Sequence, residues 1–289
     1  MKPKAAVITI NYRSALATVE FLDSLSRTKA FPEIAVVIGD NSSGEEDLSS
    51  IRQAIARLPN VELLASAVNR GYFGAARFGL DHYIGQGHSL PAWVIVCNHD
   101  VLIEDPDFFS KLFSQDPMAA GVIAPRIQAL PSRADQNPFM QHRPGWLRWA
   151  HLRLISSFYG AAAVWDWLCR QKQAAKSAWL VRGGKTASIS NGRRKPIYAP
   201  HGAFIIFSRR YFEAGGYLDG NLFLYGEEIS VAEICRSLRL PVVYEPSLCV
   251  LHDEHRSTGK RITRFTYECQ KNALRYVTSR YLSGSGSAV

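Results

Sequence analysis

Four short apolar runs separated by amphipathic stretches fill the first hundred residues, and this alternation is the strongest constraint on how the chain can fold. Ala5–Ile10, Ile34–Ile38, Val61–Leu64 and Ala92–Cys97 are almost continuously hydrophobic, the pattern of strands covered on both faces. Between them, Val19, Leu22 and Leu25 share a face of one helix over Ala15–Leu25. Leu48, Ile51, Ile55 and Leu58 mark a second helix, and Phe78, Leu80 and Tyr83 a third. Such alternation builds a mostly parallel sheet with helices on both faces. Open α/β sheets bind ligands at the carboxyl ends of their strands, so the points where the runs stop are the candidate site. They stop at Asn11-Tyr12, at Asp40-Asn41-Ser42-Ser43 and at Asn98-His99-Asp100. No P-loop is present and no GxGxxG follows the first strand, which argues against an NTPase or a dinucleotide dehydrogenase.

The apolar pattern resumes late in the chain. Ala203–Phe207 reads as a strand, Arg209–Ala214 as a short helix, and Val231, Ile234, Cys235 and Leu238 as one face of a longer helix. Val242–Glu245 and Leu248–Leu251 read as two short strands, His252–Gly259 as a polar loop, and Ile262–Leu282 as a last amphipathic helix. The two patterned regions enclose a different kind of sequence. Residues 126–195 hold thirteen Lys or Arg against Asp135 and Asp166, so this segment accounts for the net +9 of the whole chain. It also holds five of the six tryptophans: Trp146, Trp149, Trp165, Trp167 and Trp179.

With 289 residues, 47% hydrophobic and 20% charged, the chain has the composition of a folded protein with a full core. No stretch reaches the roughly 18 apolar residues of a spanning helix, and Met1-Lys2-Pro3-Lys4 runs straight into the first strand without a signal-peptide pattern. Cys97, Cys169, Cys235, Cys249 and Cys269 never stand in CxxC spacing, which fits buried free thiols in a reducing, cytoplasmic compartment. The expected organisation is residues 1–125 as the first half of an α/β domain, 126–196 as a helical basic Trp-rich insert, 197–282 as the second half with the C-terminal helix, and 283–289 as a flexible tail.

Two acidic points carry the candidate chemistry. A carboxylate at a strand end can hold a hard cation, which in turn can hold a diphosphate, and Asp100 stands at such an end; a strand ending in Asp is equally a turn or cap. Glu227-Glu228 is the second point, and it reads equally as an acid pair complementing a helix dipole.

Taken in order, Ile8-Thr9-Ile10-Asn11-Tyr12, Asp40-Asn41-Ser42-Ser43, Asn69-Arg70-Gly71-Tyr72-Phe73-Gly74, Asn98-His99-Asp100, the Gly215–Glu228 block and the His252–Gly259 loop resemble the family 2 glycosyltransferases of the GT-A fold, most closely their rhamnosyltransferase-like branch. The resemblance covers about residues 5–125 and 197–280. It implies an α/β fold of GT-A type, a Rossmann-like mixed, mostly parallel sheet, with the basic segment as an added insert. The same resemblance implies that residues 1–125 bind a nucleotide-sugar and that 197–282 are the acceptor-side catalytic half. It further implies that Asp40 reads the nucleotide base, that Asn11, Tyr12, Asn41, Asn69, Arg70 and Gly71 line the donor site, and that Asn98 contacts ribose or a metal-bound water. Asp100 then matches the ligand of a Mg²⁺ or Mn²⁺ ion, His252 the histidine that closes the metal site, and Arg256 and Ser257 contacts to the diphosphate. His99, the middle residue, is expected to point away from the cation. Glu228 matches the base that deprotonates the acceptor hydroxyl in an inverting transfer, with Glu227 binding acceptor or orienting the loop. The family commonly has Asp at the second position, so the division of roles within the pair stays open.

The implied activity is metal-dependent inverting transfer of a sugar, L-rhamnose from dTDP-rhamnose on the branch resemblance, to a lipid-linked or growing cell-surface glycan. A catalytically degenerate adaptor and a sugar-nucleotide nucleotidyltransferase are the alternatives. For the latter, the expected Gly-rich basic loop is missing from Asn11-Tyr12-Arg13-Ser14. Trp146–Ile155 and Phe158–Leu168 mix aromatic and basic residues as segments do that lie among anionic lipid headgroups. Peripheral contact with the inner face of the cell membrane is therefore expected. A helical subdomain with a solvated basic face, or a homo-oligomer contact, would use the same residues, and no nucleic-acid recognition module is visible.

Overall fold

The computed structural model describes residues 2–41, 43–160, 164, 192–253 and 263–282. Its strands are β1 (Ala5–Asn11), β2 (Ile34–Asn41), β3 (Val61–Ser66), β4 (Trp93–Asn98), β5 (Val101–Leu102), β6 (Val122–Ala129), β7 (Lys195–Ile197), β8 (Phe204–Ser208) and β9 (Val242–His252). They form one mixed sheet in the order β3-β2-β1-β4-β8-β6-β9-β5, with β7 paired to β9. Pairing is parallel through β3, β2, β1 and β4, as the alternation of the first hundred residues requires.

Past β4 the sheet reverses direction twice. β4 pairs antiparallel with β8, β8 pairs antiparallel with β6, and β6 runs parallel to β9. Two reversals restore the original direction. The carboxyl ends of β1, β2, β4, β6 and β9 therefore lie along one edge of the sheet, together with the amino end of β8. β5, which follows β4 after the His99-Asp100 turn, pairs with the end of β9, and this brings His252 beside that turn.

Helices cover both faces. Phe21, Leu22 and Leu25 of the helix Ala15–Ser26 pack with Phe108, Phe109 and Leu112 on one side. Phe73, Ala76 and Leu80 of the helix Tyr72–Gly85 pack on the other side with Tyr211, Val231 and Ile234. Burying one such side chain contributes about 1.5–3 kcal/mol.

The two short strands expected at Val242–Glu245 and Leu248–Leu251 are one strand. The register against β6 jumps between Pro125 and Arg126, where Glu245 gives way to Cys249. Pro246 cannot donate to the ladder, and the surplus residues are absorbed as a bulge rather than a turn. Arg126–Ala129 continue β6, so the basic segment begins inside the sheet. Its described helix, Trp146–Ile155, is anchored by Trp149 against Leu222, Ile229, Ala273 and Val277. Trp165, Trp167 and Trp179 lie outside the described residues. The C-terminal helix runs Arg264–Val277, opened by a capping box in which Thr263 and Thr266 each bond the other's backbone N–H.

Candidate active site

The ends of β1 and β2 are tied together by side chains. Asn11 Nδ2 donates to Asp40 Oδ1 at 2.8 Å and to Ser43 Oγ at 3.1 Å, and the Ser43 N–H donates to Asp40 Oδ2 at 2.9 Å. Thr18 Oγ1 fixes the Asn11 amide from its other side at 2.8 Å. Both carboxylate oxygens of buried Asp40 thus have one donor each, and lone pairs remain for a further N–H. Tyr12 stands exposed at the rim with the Arg13 guanidinium 5.2 Å over its ring.

Asn41 carries the network to the next loop. Its Nδ2 donates to Gly71 O at 2.9 Å, its Oδ1 accepts the Arg70 N–H at 3.0 Å, and Asn69 Oδ1 accepts the Gly71 N–H at 2.9 Å. The Arg70 side chain is turned onto Ser66 Oγ, 3.0 Å, and over the Phe78 ring. Gly71 sits at φ +72°, and a Cβ there would come within 2.1 Å of Phe223 O, which accepts the Tyr72 N–H at 2.9 Å. Only glycine allows both the left-handed backbone and that approach. The donor-side loop is thereby docked on the loop that leads into Glu227.

Asp100 and His252, 152 residues apart in sequence, meet where β5 pairs with the end of β9. His252 Nε2 lies 3.3 Å from Asp100 Oδ1, and His252 Nδ1 donates to Gln136 Oε1 at 2.8 Å. In the neutral ring that bond puts the proton on Nδ1 and leaves Nε2 facing the carboxylate as an acceptor nitrogen, the arrangement of a metal-ligating histidine with a supporting partner. Among the described residues no group of three or more His, Cys, Asp or Glu could hold a cation alone. One carboxylate and one imidazole nevertheless suit an ion whose other ligands come from a diphosphate and water. His99 turns inward, its Nδ1 donating to Ile10 O at 2.8 Å, and is not a partner of Asp100 in this arrangement. Asn98 ends β4 half-buried, its N–H donating to Ala203 O at 2.9 Å.

Glu227 and Glu228 open the helix Glu227–Ser237, after Tyr225 and Gly226 in left-handed conformation. Glu227 is 4% exposed with no hydrogen-bond partner for Oε1. Glu228 is half-buried and accepts the Gly202 N–H. A Cβ on Gly202 would lie 2.7 Å from Glu228 Oε1, so glycine is what lets the carboxylate reach that N–H. The Tyr72 hydroxyl donates to Gly202 O at 2.8 Å, so Glu228 and Tyr72 hold the two peptide groups that flank the Gly202 Cα.

Burial raises both carboxyl pKa values, and for Glu227 the neighbouring Glu228 charge raises it further. A carboxyl whose folded pKa is raised stabilises the fold below the ordinary carboxylate range, and that contribution is lost as pH rises through the folded value. Glu227→Gln is therefore expected to stabilise the protein at pH 8 by about 1 kcal/mol or more and to give no gain at pH 4. Urea denaturation at the two pH values checks this, and equal effects at both would mean that Glu227 holds no strained charge.

Three contributors had not been singled out from the sequence. Gln136 lies in the basic segment, where no strand pattern draws the eye. Tyr72 stood within a motif without a role of its own. His201 precedes β8, half-buried, its ring centroid 5.8 Å from that of His252 and its Nδ1 accepting the Ala203 N–H at 3.2 Å. Burial, and secondarily His252, push its pKa down to about 4, so it stays neutral. The proline-flanked Pro200-His201-Gly202 turn was its only sequence signal. Arg256 and Ser257 lie outside the described residues.

Comparison with known proteins adds the rest. The sequence profile described as Glycosyl transferase family 2 matches residues 6–215. An N-acetylglucosaminyl-diphospho-decaprenol L-rhamnosyltransferase of Mycobacterium tuberculosis is 25% identical over 260 residues, which cover 88% of this chain and 77% of that protein. Among solved structures, GalNAc-T7 with UDP, GalNAc and Mn²⁺ superposes with a TM-score of 0.58 at 14% identity, over 96% of this chain and 48% of that one. The mannosyltransferase PcManGT of Pyrobaculum calidifontis, in complex with GDP-Man and Mn²⁺, gives 0.51 at 14%, over 96% and 74%. S. aureus TarS 1–349 gives 0.52 at 13%, over 88% of this chain, which spans 60% of the length of that structure.

Proposed function

The chain belongs to glycosyl transferase family 2 and is a glycosyltransferase with the GT-A fold, and from that premise we propose that it transfers L-rhamnose from a dTDP-linked donor, with inversion, to a lipid-linked glycan. The single observation that carries the catalytic part is the convergence of Asp100 with His252 and of Glu228 on Gly202, joined by His201, which precedes Gly202 and lies ring to ring with His252. The rhamnosyl donor and the lipid diphosphate acceptor rest on the name of the Mycobacterium relative.

In this reading Asp40 accepts the imide N–H of the base through its remaining lone pairs, and Asn11 and Ser43 keep the carboxylate in place. Asn69, Arg70 and Gly71 shape the ribose and phosphate path. Asp100 and His252 would hold Mg²⁺ or Mn²⁺, oriented by Gln136. When bound, that ion stabilises the charge on the departing diphosphate. Glu228 takes the proton from the acceptor hydroxyl as it attacks C1 on the face opposite the leaving group. Its raised pKa keeps it a stronger base than an ordinary carboxylate. Glu227, beneath it, holds the loop that presents the acceptor.

No helix among the described residues is long and apolar enough to cross a membrane. The helix Trp146–Ile155 nonetheless leaves Trp146 75%, Leu147 65% and Leu154 68% exposed beside Arg148 and Arg153. That face supports peripheral attachment to an anionic bilayer on the cytoplasmic side, where a lipid-linked acceptor is presented.

A thermal-shift panel of dTDP, UDP, GDP and CDP with and without Mn²⁺ tests the donor reading. A ligand at a hundredfold excess over Kd stabilises the native state by about 2.7 kcal/mol. A shift with dTDP that requires Mn²⁺ and exceeds that of the other three is expected. No shift with any nucleotide would overturn the reading.

A further inference from the structure

The helix Trp146–Ile155 also borders a cavity. Trp146, Trp149 and Arg153, at spacings of three and four residues, line an open cavity of about 230 Å³ whose other side is made by Arg143 and by Thr278 and Leu282 of the segment Thr278–Leu282. Its lining says what it is built for. Arg143 is held in place by Glu233, with Nε on Oε1 at 2.6 Å and Nη2 on Oε2 at 3.3 Å, which leaves its Nη1 group outside the pair. Arg153 is exposed and has no carboxylate partner among the described residues. Trp149 is buried and gives the cavity an aromatic floor. A free guanidinium, the outer edge of a second one and two indole rings around one cavity are the chemistry of a phosphate ester attached to an apolar group.

The cavity borders the helix that carries the candidate catalytic pair: Trp149 packs with Ile229, the residue after Glu228, and Arg143 pairs with Glu233 further along the same helix. Leu147 and Leu154, seven residues apart, lie on the adjoining exposed face, where an isoprenoid chain would continue. Resting on the lipid-linked acceptor named above, the geometry points to this cavity as the subsite for the acceptor's prenyl diphosphate, with Arg153 and the Arg143 Nη1 group as its donors and Trp146 and Trp149 as its walls.

The test is calorimetric titration of farnesyl diphosphate and of inorganic pyrophosphate into the full chain in metal-free buffer, with Arg153→Gln and Trp146→Ser as variants. Both positions are exposed, so both variants are expected to fold, and the nucleotide thermal shift is measured on each as a control. Farnesyl diphosphate should bind at least tenfold more tightly than pyrophosphate, and each variant should lose at least tenfold in affinity while keeping its nucleotide shift. Equal affinity in wild type and both variants overturns the proposal. So does loss of sedimentation with phosphatidylglycerol vesicles while farnesyl diphosphate binding is kept, which would make the cavity a headgroup contact. A wild type that binds farnesyl diphosphate here but shifts with no nucleotide supports the subsite and defeats the donor reading, so the two failures are separable.

Discussion

Glu228→Gln is expected to lower kcat by about 10²–10⁴, the usual worth of a positioned general base, or about 3–5 kcal/mol at 1.36 kcal/mol per decade. The substitution is nearly isosteric, and the Gln amide oxygen can still accept the Gly202 N–H, so the loop geometry should survive. Donor binding, read by the nucleotide thermal shift, should be unchanged, which separates a lost proton acceptor from a collapsed site. Glu227→Gln should cost much less, because Glu227 is nearly sealed from solvent while Glu228 is half-buried and reaches Gly202, which Tyr72 also holds. The pH profile gives an independent reading. Burial raises the Glu228 pKa, so the acidic limb of kcat/KM should fall above the ordinary carboxylate range, with activity lost as pH drops through it. A Glu228→Gln variant with wild-type kcat, or a larger loss in Glu227→Gln, would reverse the assignment within the pair.

The parts of this arrangement that could be read from the sequence are those made by short-range pattern. β1 to β4 and their helices follow from alternating periodicity. The strand-end rule then places Asn11, Asp40 and Asp100 on one edge before any coordinates are consulted. Asp100 with His252 needed more, since their meeting depends on two antiparallel reversals at β8 and β6 that local pattern does not encode. The family resemblance supplied it. What stayed hidden was support: Gln136 behind His252, Tyr72 behind Gly202, and His201 beside His252, each placed by the tertiary fold and not by a local pattern. Pro246 misled in the opposite direction, because a residue that normally ends a strand is here carried in a bulge. The Trp-rich segment was legible as unusual, but its cavity was not, since Thr278 and Leu282 reach it from the far end of the chain.

Asp100→Asn should remove the Mn²⁺ dependence of nucleotide binding and lower transfer by at least two orders of magnitude, because it withdraws the negative charge at a site with no third ionisable ligand among the described residues. The loss should show first in binding. In the wild type the nucleotide shift with Mn²⁺ should exceed the shift without it, and in Asp100→Asn the two should coincide at the metal-free value. Gln136→Leu makes the comparison informative. It leaves both candidate ligands in place and removes only the acceptor that fixes the His252 tautomer, so the Mn²⁺ concentration for half-maximal shift should rise by about 10–100-fold, the usual cost of a lost outer partner. At saturating Mn²⁺ its transfer rate should recover toward wild type, whereas that of Asp100→Asn should not. A structural role for these residues would instead lower stability without nucleotide and leave the metal titration where it was. If Asp100→Asn keeps the full Mn²⁺-dependent shift, Asp100 is not the ligand, and its 3.3 Å approach to His252 is a packing contact between the turn after β4 and the end of β9.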